Sequence, residues 1–209
     1  MEITQFEQAL AVAHQLKRAE LQLLVNEGVS LNMTNELGQS LALVLTMEGN
    51  TRGLAMLIEL GIDVDYYDGV KSAQVVDQTP FLYAGAHGMN DALAILIKAN
   101  ADPAITNYYG GTALIPAAEK GLVKTVKLLL EQSNIDVNHV NDLGWTALTE
   151  AVILGDGSAK YQSVVLSLLA HGADVHIKDR DGVNVLEHAK SKGHTEIVNI
   201  LKRYSAKTH

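Results

Sequence analysis

Residues 110–130 read GGTALIPAAEKGLVKTVKLLL. The segment combines a glycine turn, a threonine that can cap a helix, a short helix of small residues, a glycine stop at Gly121 and a second, leucine-rich helix. Similar segments occur before and after it at nearly constant spacing. A unit that recurs in this way predicts a repeat protein, in which each helix pair buries its apolar side against its neighbours.

The position that caps the first helix of each unit gives the period of the repeat. Ser40, Thr79, Thr112, Thr146 and Asn184 occupy it, at separations of 39, 33, 34 and 38 residues. The two longer separations carry extra residues near 69–74 and within 156–162. Because insertions are tolerated in surface loops, we expect a loop at each of these places.

The order of these motifs resembles the ankyrin repeat. Residues 79–86 read TPFLYAGA, residues 114–118 read LIPAA, and the unit that follows closes in GAD at 172–174. These segments are similar to those of small bacterial ankyrin-repeat proteins in particular. The resemblance implies an all-α solenoid of stacked helix pairs joined by short hairpins, with about six units including both caps. It also implies that the hairpins project toward the concave face, so the loop near 69–74 is the better placed of the two insertions for a partner.

The repeat predicts a single array over residues 1–209. Its units run over about 4–34 as the N-terminal cap, 35–67, 68–106, 107–140, 141–178, and 179–204 as the C-terminal cap. The outer units carry polar residues between their apolar ones, as caps must when one side faces water.

Two features of the turns and helix starts give further expectations. Gly49, Gly88, Gly121, Gly155 and Gly193 should close the first helix of their units with positive φ. Pro116 follows closely on a helix start, where it should remove one backbone hydrogen bond or shift the start of the helix.

Composition and charge exclude several classes of protein. An apolar share of 47% and a charged share of 19% are typical of a folded, soluble chain. The net charge is −8, and residues 1–104 carry 5 Lys and Arg against 13 Asp and Glu, which argues against binding to nucleic acid. The N-terminus lacks the basic and apolar regions of a secretory signal, and no apolar run is long enough to span a membrane. We therefore expect a cytoplasmic protein.

A search for catalytic and metal-binding motifs returns none with the required spacing. The chain has no glycine-rich phosphate loop, no nucleophile elbow, no His-Glu-x-x-His helix and no cysteine. The histidines are scattered, with His171 and His176 five residues apart and His188 and His194 six apart. The sequence thus predicts no catalytic residue, no cofactor and no metal, and we expect a protein that is not an enzyme.

The hairpins and the ends of the first helices hold positions that packing and capping leave free to vary. Tyr66, Tyr67, Tyr108, Tyr109 and Trp145 lie in hairpins and account for five of the eight Tyr and Trp residues. Such residues supply contact area at binding hot spots. The candidate partner-binding residues are Tyr66, Tyr67, Val75, Val76, His87, Tyr108, Tyr109, Glu119, Lys120, Leu143, Trp145, Ile153 and Leu154.

These observations favour a non-catalytic protein-binding module or scaffold that grips a partner protein on its concave face. The expected partner is an unidentified protein with a basic patch, and the chain itself is expected to be a monomer. One alternative is a small-molecule-binding or enzymatic cleft beside Tyr109, Glu119, Trp145 and Glu150. A second is homodimerisation through the aromatic residues, and a third is that the rings pack between neighbouring hairpins.

Overall fold

The computed structural model describes residues 3–69 and 79–206, which are helical with no β-strand among them. In chain order the helices are α1 (Gln5–His14), α2 (Arg18–Asn26), α3 (Leu41–Met47), α4 (Thr51–Glu59), α5 (Pro80–His87), α6 (Asn90–Lys98), α7 (Leu114–Glu119), α8 (Val123–Gln132), α9 (Ala147–Ile153), α10 (Ala159–Ala170), α11 (Val185–Ser191) and α12 (Thr195–Ser205). The predicted all-α class is therefore confirmed.

The helices belong to two compact units. The first lies within Met1–Ala84 and Met89–Asp102, and the second within Gly85–Gly88 and Pro103–His209. In the first unit α1 packs on α2 and contacts α3 and α4, while α3 packs on α4 and α4 on α6. In the second unit α7, α9 and α11 form one row, and α8, α10 and α12 form another row that packs against it.

Residue size accounts for the two rows of the second unit. The first row buries Ala117, Ala151 and Ala189 completely, and such small side chains let neighbouring helices approach closely. The second row buries larger side chains, including Leu129 and Leu168. Burial of one leucine side chain stabilises a fold by about 1.5–3 kcal/mol, so each of these residues contributes substantially to the packing.

Side-chain caps begin several of the first helices of the repeat, as the sequence predicts. The hydroxyl oxygens of Ser40, Thr79 and Thr146 accept hydrogen bonds from the backbone N–H three residues on, at 3.2, 3.3 and 3.2 Å. Asn184 does the same at 3.0 Å and completes a capping box with Glu187. Each cap satisfies a backbone donor that the helix itself leaves unpaired.

Thr112 was expected to act in the same way, and this prediction is wrong. Its Oγ1 is buried and has no hydrogen-bond partner among the described residues. The cause is Pro116, which has no N–H to donate to the Thr112 carbonyl four residues before it. The Ile115 N–H donates to that carbonyl instead, at 3.1 Å, and α7 begins only at Leu114.

The turn glycines follow the prediction with one exception. Gly49, Gly88, Gly121 and Gly193 have φ values of 66 to 72°, but the expected positive φ falls on Gly157 rather than on Gly155. The extra residues between α9 and α10 move the left-handed position along the chain. At Gly155 the absence of a side chain is needed for space instead, because a Cβ there would lie 2.6 Å from the Tyr161 ring. The insertion predicted near 69–74 falls almost entirely outside the described residues.

Candidate functional site

Two successive hairpins in the second unit are built around an asparagine side chain. The Asn107 Oδ1 accepts hydrogen bonds from the Tyr109 and Gly111 N–H groups, both at 3.0 Å. The Asn141 Oδ1 accepts from the Leu143 and Trp145 N–H groups at the same distance. These bonds fix the backbone on which the aromatic and aliphatic side chains are carried.

A further backbone hydrogen bond joins the two hairpins. The Asp142 N–H donates to the Tyr109 carbonyl at 3.1 Å. The side chains of Tyr108 and Tyr109 meet edge to face, with ring centroids 5.2 Å apart and an interplanar angle of 83°. Because the hairpins are tied together, the rings sit on a defined surface rather than on independent loops.

Five of the candidate residues lie together on this surface, which we name the aromatic patch: Tyr108, Tyr109, Leu143, Trp145 and Leu154. Tyr109, Leu143 and Leu154 are 54, 51 and 50% exposed. Tyr108 is also exposed, whereas Trp145 is half-buried. Such a concentration of large apolar side chains on a protein surface usually marks an interaction site.

A cavity of about 230 Å³ opens within the aromatic patch. Its lining comprises Asn107, Tyr109, Gly111, Ile115, Pro116, Glu119, Asn141, Leu143, Trp145, Glu150 and Leu154. The four residues expected to surround a small-molecule cleft, Tyr109, Glu119, Trp145 and Glu150, are thus brought together. The cavity is smaller than the roughly 300–1,000 Å³ of pockets that hold drug-sized ligands.

Glu150 is the buried carboxylate of the cavity, at 6% exposure. Its Oε1 accepts a hydrogen bond from the Asn141 Nδ2 at 2.8 Å. Burial and, to a smaller extent, the charge of Glu119 raise the pKa of the Glu150 carboxyl to about 7, against the opposing effect of the hydrogen bond from Asn141. The Glu150 carboxyl therefore titrates near neutral pH.

The cations closest to the cavity along the chain are engaged elsewhere. The Lys120 Nζ donates to the Ala86 carbonyl at 2.7 Å, and the Lys160 ammonium lies 4.8 Å from the centre of the Tyr161 ring. Neither Glu119 nor Glu150 forms an ion pair within residues 3–69 and 79–206. The cavity consequently presents uncompensated negative charge when Glu150 is ionised.

The remaining candidates are placed differently. Tyr66 and Tyr67 are half-buried in the first unit, His87 is exposed at the end of α5, and Ile153 is half-buried at the end of α9. Val75 and Val76 lie outside the described residues. The candidates that the structure brings together are thus Tyr108, Tyr109, Glu119, Leu143, Trp145 and Leu154, and their part in binding a partner stays a prediction.

Asn107 and Asn141 are cavity residues that sequence reasoning missed. A signal for them was available, because Asn35, Asn107, Asn141 and Asp179 each precede the capping residue of their unit by five positions. A polar residue that recurs at one register of a repeat indicates a shared local hydrogen-bonding role.

Other kinds of site find no support in the described part of the chain. No group of three His, Cys, Asp or Glu residues within it could hold a metal ion. None of the helices in residues 3–69 and 79–206 combines the length and apolar character needed to cross a membrane.

Comparisons with known proteins agree with this architecture. The family model for ankyrin repeats (3 copies) matches residues 81–179. An ankyrin repeat protein of Escherichia coli K12, YahD, is 34% identical over 174 residues, which cover 83% of this chain and 84% of that protein.

Solved structures give the same result. An ankyrin repeat domain from Acinetobacter baumannii is 38% identical, with a TM-score of 0.83 over 95% of this chain and 97% of its own. EF0377, also an ankyrin repeat protein, is 35% identical with a TM-score of 0.83 over 98% and 99% of the two chains. The paired helices, the capped helix starts and these relatives together show that the chain belongs to the ankyrin-repeat family.

Proposed function

We propose that this protein is a non-catalytic binding module that grips a partner protein on its concave face, through the aromatic patch. The ankyrin fold is generally a protein–protein interaction module, but a fold alone does not locate a binding surface. The observation that carries the proposal is the exposure of Tyr109, Leu143 and Leu154, each at half or more, around one cavity on two linked hairpins.

Energetic reasoning supports this choice of surface. Interfaces draw most of their affinity from a few large side chains at their centre, with Tyr and Trp over-represented among them. Here Tyr109 and Trp145 stand on backbone that asparagine side chains and an inter-hairpin hydrogen bond already order. A preorganised surface loses little conformational entropy on binding, so more of the contact energy appears as affinity.

Charge supports a basic partner. The chain carries a net charge of −8, and Glu119 and Glu150 add negative charge within the patch itself. Complementary charge accelerates association and disfavours partners of like charge. The protein acts as a monomer in this proposal, because the same carboxylates would face each other if two patches met.

The alternative of a small-molecule or enzymatic cleft is less well supported. The cavity is smaller than pockets that enclose a drug-sized ligand. Paired carboxylates catalyse glycoside hydrolysis only when they flank the scissile bond of a bound sugar, and an acyl-transfer site would also need a nucleophile and an oxyanion site beside them. The relatives described above are named for their repeats and not for a reaction.

Affinity capture from a lysate of the source organism tests the proposal. We would compare the wild type with Tyr109→Ala/Trp145→Ala and with Leu23→Ala, a control that truncates a residue 57% exposed in the first unit. Removal of a hot-spot aromatic typically weakens binding by about 2 kcal/mol or more, roughly thirtyfold. The double variant should lose the partner while keeping its helicity, and the control should retain it. Equal capture by all three proteins would contradict the proposal.

A further inference from the structure

The side-chain amide of Asn107, at the cavity in the aromatic patch, differs from the equivalent side chains of the next two hairpins because its N–H donors have no acceptor within residues 3–69 and 79–206. Asn107 is 7% exposed and lines the cavity. Its Oδ1 is fully used by two backbone N–H groups, which fixes the orientation of the side-chain amide, yet its Nδ2 has no acceptor among the described residues. This donor is open to the cavity, so a ligand that supplies an acceptor can bond to it without a change in the hairpin.

Comparison with the next two hairpins explains why this amide is unpaired. Asn141 donates its Nδ2 to Glu150, nine residues further on, and Asp179 bonds to His188 across the same interval. The residue nine positions after Asn107 is Pro116, whose side chain has neither a donor nor an acceptor. The repeat thus pairs this position with a side chain nine residues on in two units, whereas at Asn107 it leaves the amide donor open to the cavity.

The cavity therefore offers a defined set of chemical groups. Glu119 and Glu150 provide carboxylate oxygens that no cation of the described chain neutralises, and Asn107 provides an N–H donor. Tyr109 and Trp145 provide aromatic rings, against which a guanidinium group can stack. A matching ligand needs a planar cation with several donors, together with a nearby acceptor.

We propose that this cavity receives an arginine side chain of the partner protein, with the guanidinium between the Glu119 and Glu150 carboxylates and a peptide carbonyl of the partner on the Asn107 amide. The inference rests on the proposed binding function and deepens it. Arginine fits better than lysine because its planar, multiply donating group can bond to both carboxylates and stack on a ring. The volume of about 230 Å³ suits one side chain rather than a whole small molecule.

The pH dependence of binding follows from the ionisation of Glu150. With a pKa of about 7 for this carboxyl, most copies are protonated at pH 6 and most are ionised at pH 8. Glu119 on α7 is the charged neighbour that acts on it, whereas Lys160 on α10 lies over Tyr161 and His188 on α11 is bonded to Asp179. A cation needs the ionised form, so binding should strengthen by about tenfold from pH 6 to pH 8.

The test is a titration with short blocked peptides, followed through Trp145, the only tryptophan of the chain. The probe is acetyl-Gly-Arg-Gly-amide, and the matched control replaces arginine by citrulline, which has nearly the same shape without the charge. We expect a saturable change in Trp145 fluorescence with the arginine peptide at pH 8, weaker binding at pH 6, and a shift of the Asn107 side-chain amide in the NMR spectrum. Equal binding of the citrulline peptide, or no shift at Asn107, would overturn the proposal.

Glu150→Gln provides the decisive variant, because glutamine can still accept the hydrogen bond from Asn141 while it lacks the charge. It should weaken binding of the arginine peptide by about ten- to a hundredfold and abolish the dependence on pH. Glu131→Gln, on the exposed surface of α8, should change neither. Unaltered affinity in a folded Glu150→Gln protein would overturn the proposal.

Two comparisons separate this inference from the function on which it rests. If the arginine peptide does not bind while Tyr109→Ala/Trp145→Ala still abolishes capture of the partner, the arginine assignment fails and the protein-binding function stands. If free arginine bound more tightly than the blocked peptide, the proposal that the cavity receives a side chain of a protein would be overturned. Equal binding of acetyl-Gly-Lys-Gly-amide would overturn the choice of a guanidinium group.

Discussion

At the scale of single residues, Glu150 connects the stability of the protein to its binding surface. The carboxyl is buried, and burial together with Glu119 raises its pKa from 4.5 to about 7. A carboxyl whose pKa is higher in the folded state favours folding while it is protonated. That contribution is complete below pH 4.5 and is lost as the pH rises through 7.

Glu150→Gln should therefore stabilise the protein at pH 8 and leave its stability at pH 5 nearly unchanged. The expected gain at pH 8 is about 1–3 kcal/mol, since the variant no longer has to bury a charge. Chemical denaturation of the variant and the wild type at both values measures it, with Glu131→Gln as the exposed control. An equal change in the free energy of unfolding at pH 5 and pH 8 would show that the charge of Glu150 is not the cause.

At the scale of the helix, α7 and α9 start in different ways although their sequences look alike. Thr146 caps α9 through its hydroxyl, whereas Thr112 before α7 is buried with that hydroxyl unpaired. Thr146→Val should then cost about 0.5–2 kcal/mol, the usual loss for a helix cap. Thr112→Val, of nearly the same shape, should be neutral or stabilising because it removes an unsatisfied polar group. Thermal unfolding of the two variants compares them, and a similar loss in both would mean that Thr112 also acts as a cap.

These two helices also show what can be predicted from the sequence and what cannot. The helix pairs and the caps at Ser40, Thr146 and Asn184 could be predicted from the residues that form them. The cap at Thr112 was predicted wrongly, because Pro116 cannot donate to the Thr112 carbonyl and the Ile115 N–H bonds there instead of to the Thr112 hydroxyl. The positive φ at Gly155 was predicted wrongly as well, since inserted residues redistribute the backbone angles of a turn.

The binding cavity was predictable only in part. Tyr109 and Trp145 could be proposed from their positions in hairpins, where packing does not require large rings. The sequence did not predict that Asn141 pairs with Glu150 or that the Asn107 amide has no acceptor in the described part of the chain. Both features depend on how a hairpin folds back over the start of the next helix.

At the scale of the whole molecule, stability depends on contacts between neighbouring repeats. In the second unit α11 packs on α9 and α12 packs on α10, so the last helix pair covers the one before it. Deletion of residues 179–209 should expose apolar side chains of α10 such as Val165 and Leu168, which are fully buried in the complete chain. The truncated protein should aggregate in size-exclusion chromatography with light scattering, whereas deletion of 207–209 alone should not cause this. A truncated chain that remained a folded monomer would show that the last pair is dispensable.

Photo-crosslinking tests the central claim, that the aromatic patch contacts the partner, most directly. A photoreactive phenylalanine analogue would replace Tyr109 in one protein and Leu23, an exposed residue of the first unit, in another. Illumination in the presence of the captured partner should give a covalent adduct from position 109 and none from position 23. An adduct from position 23 alone, with none from position 109, would contradict the assignment of the patch as the binding surface.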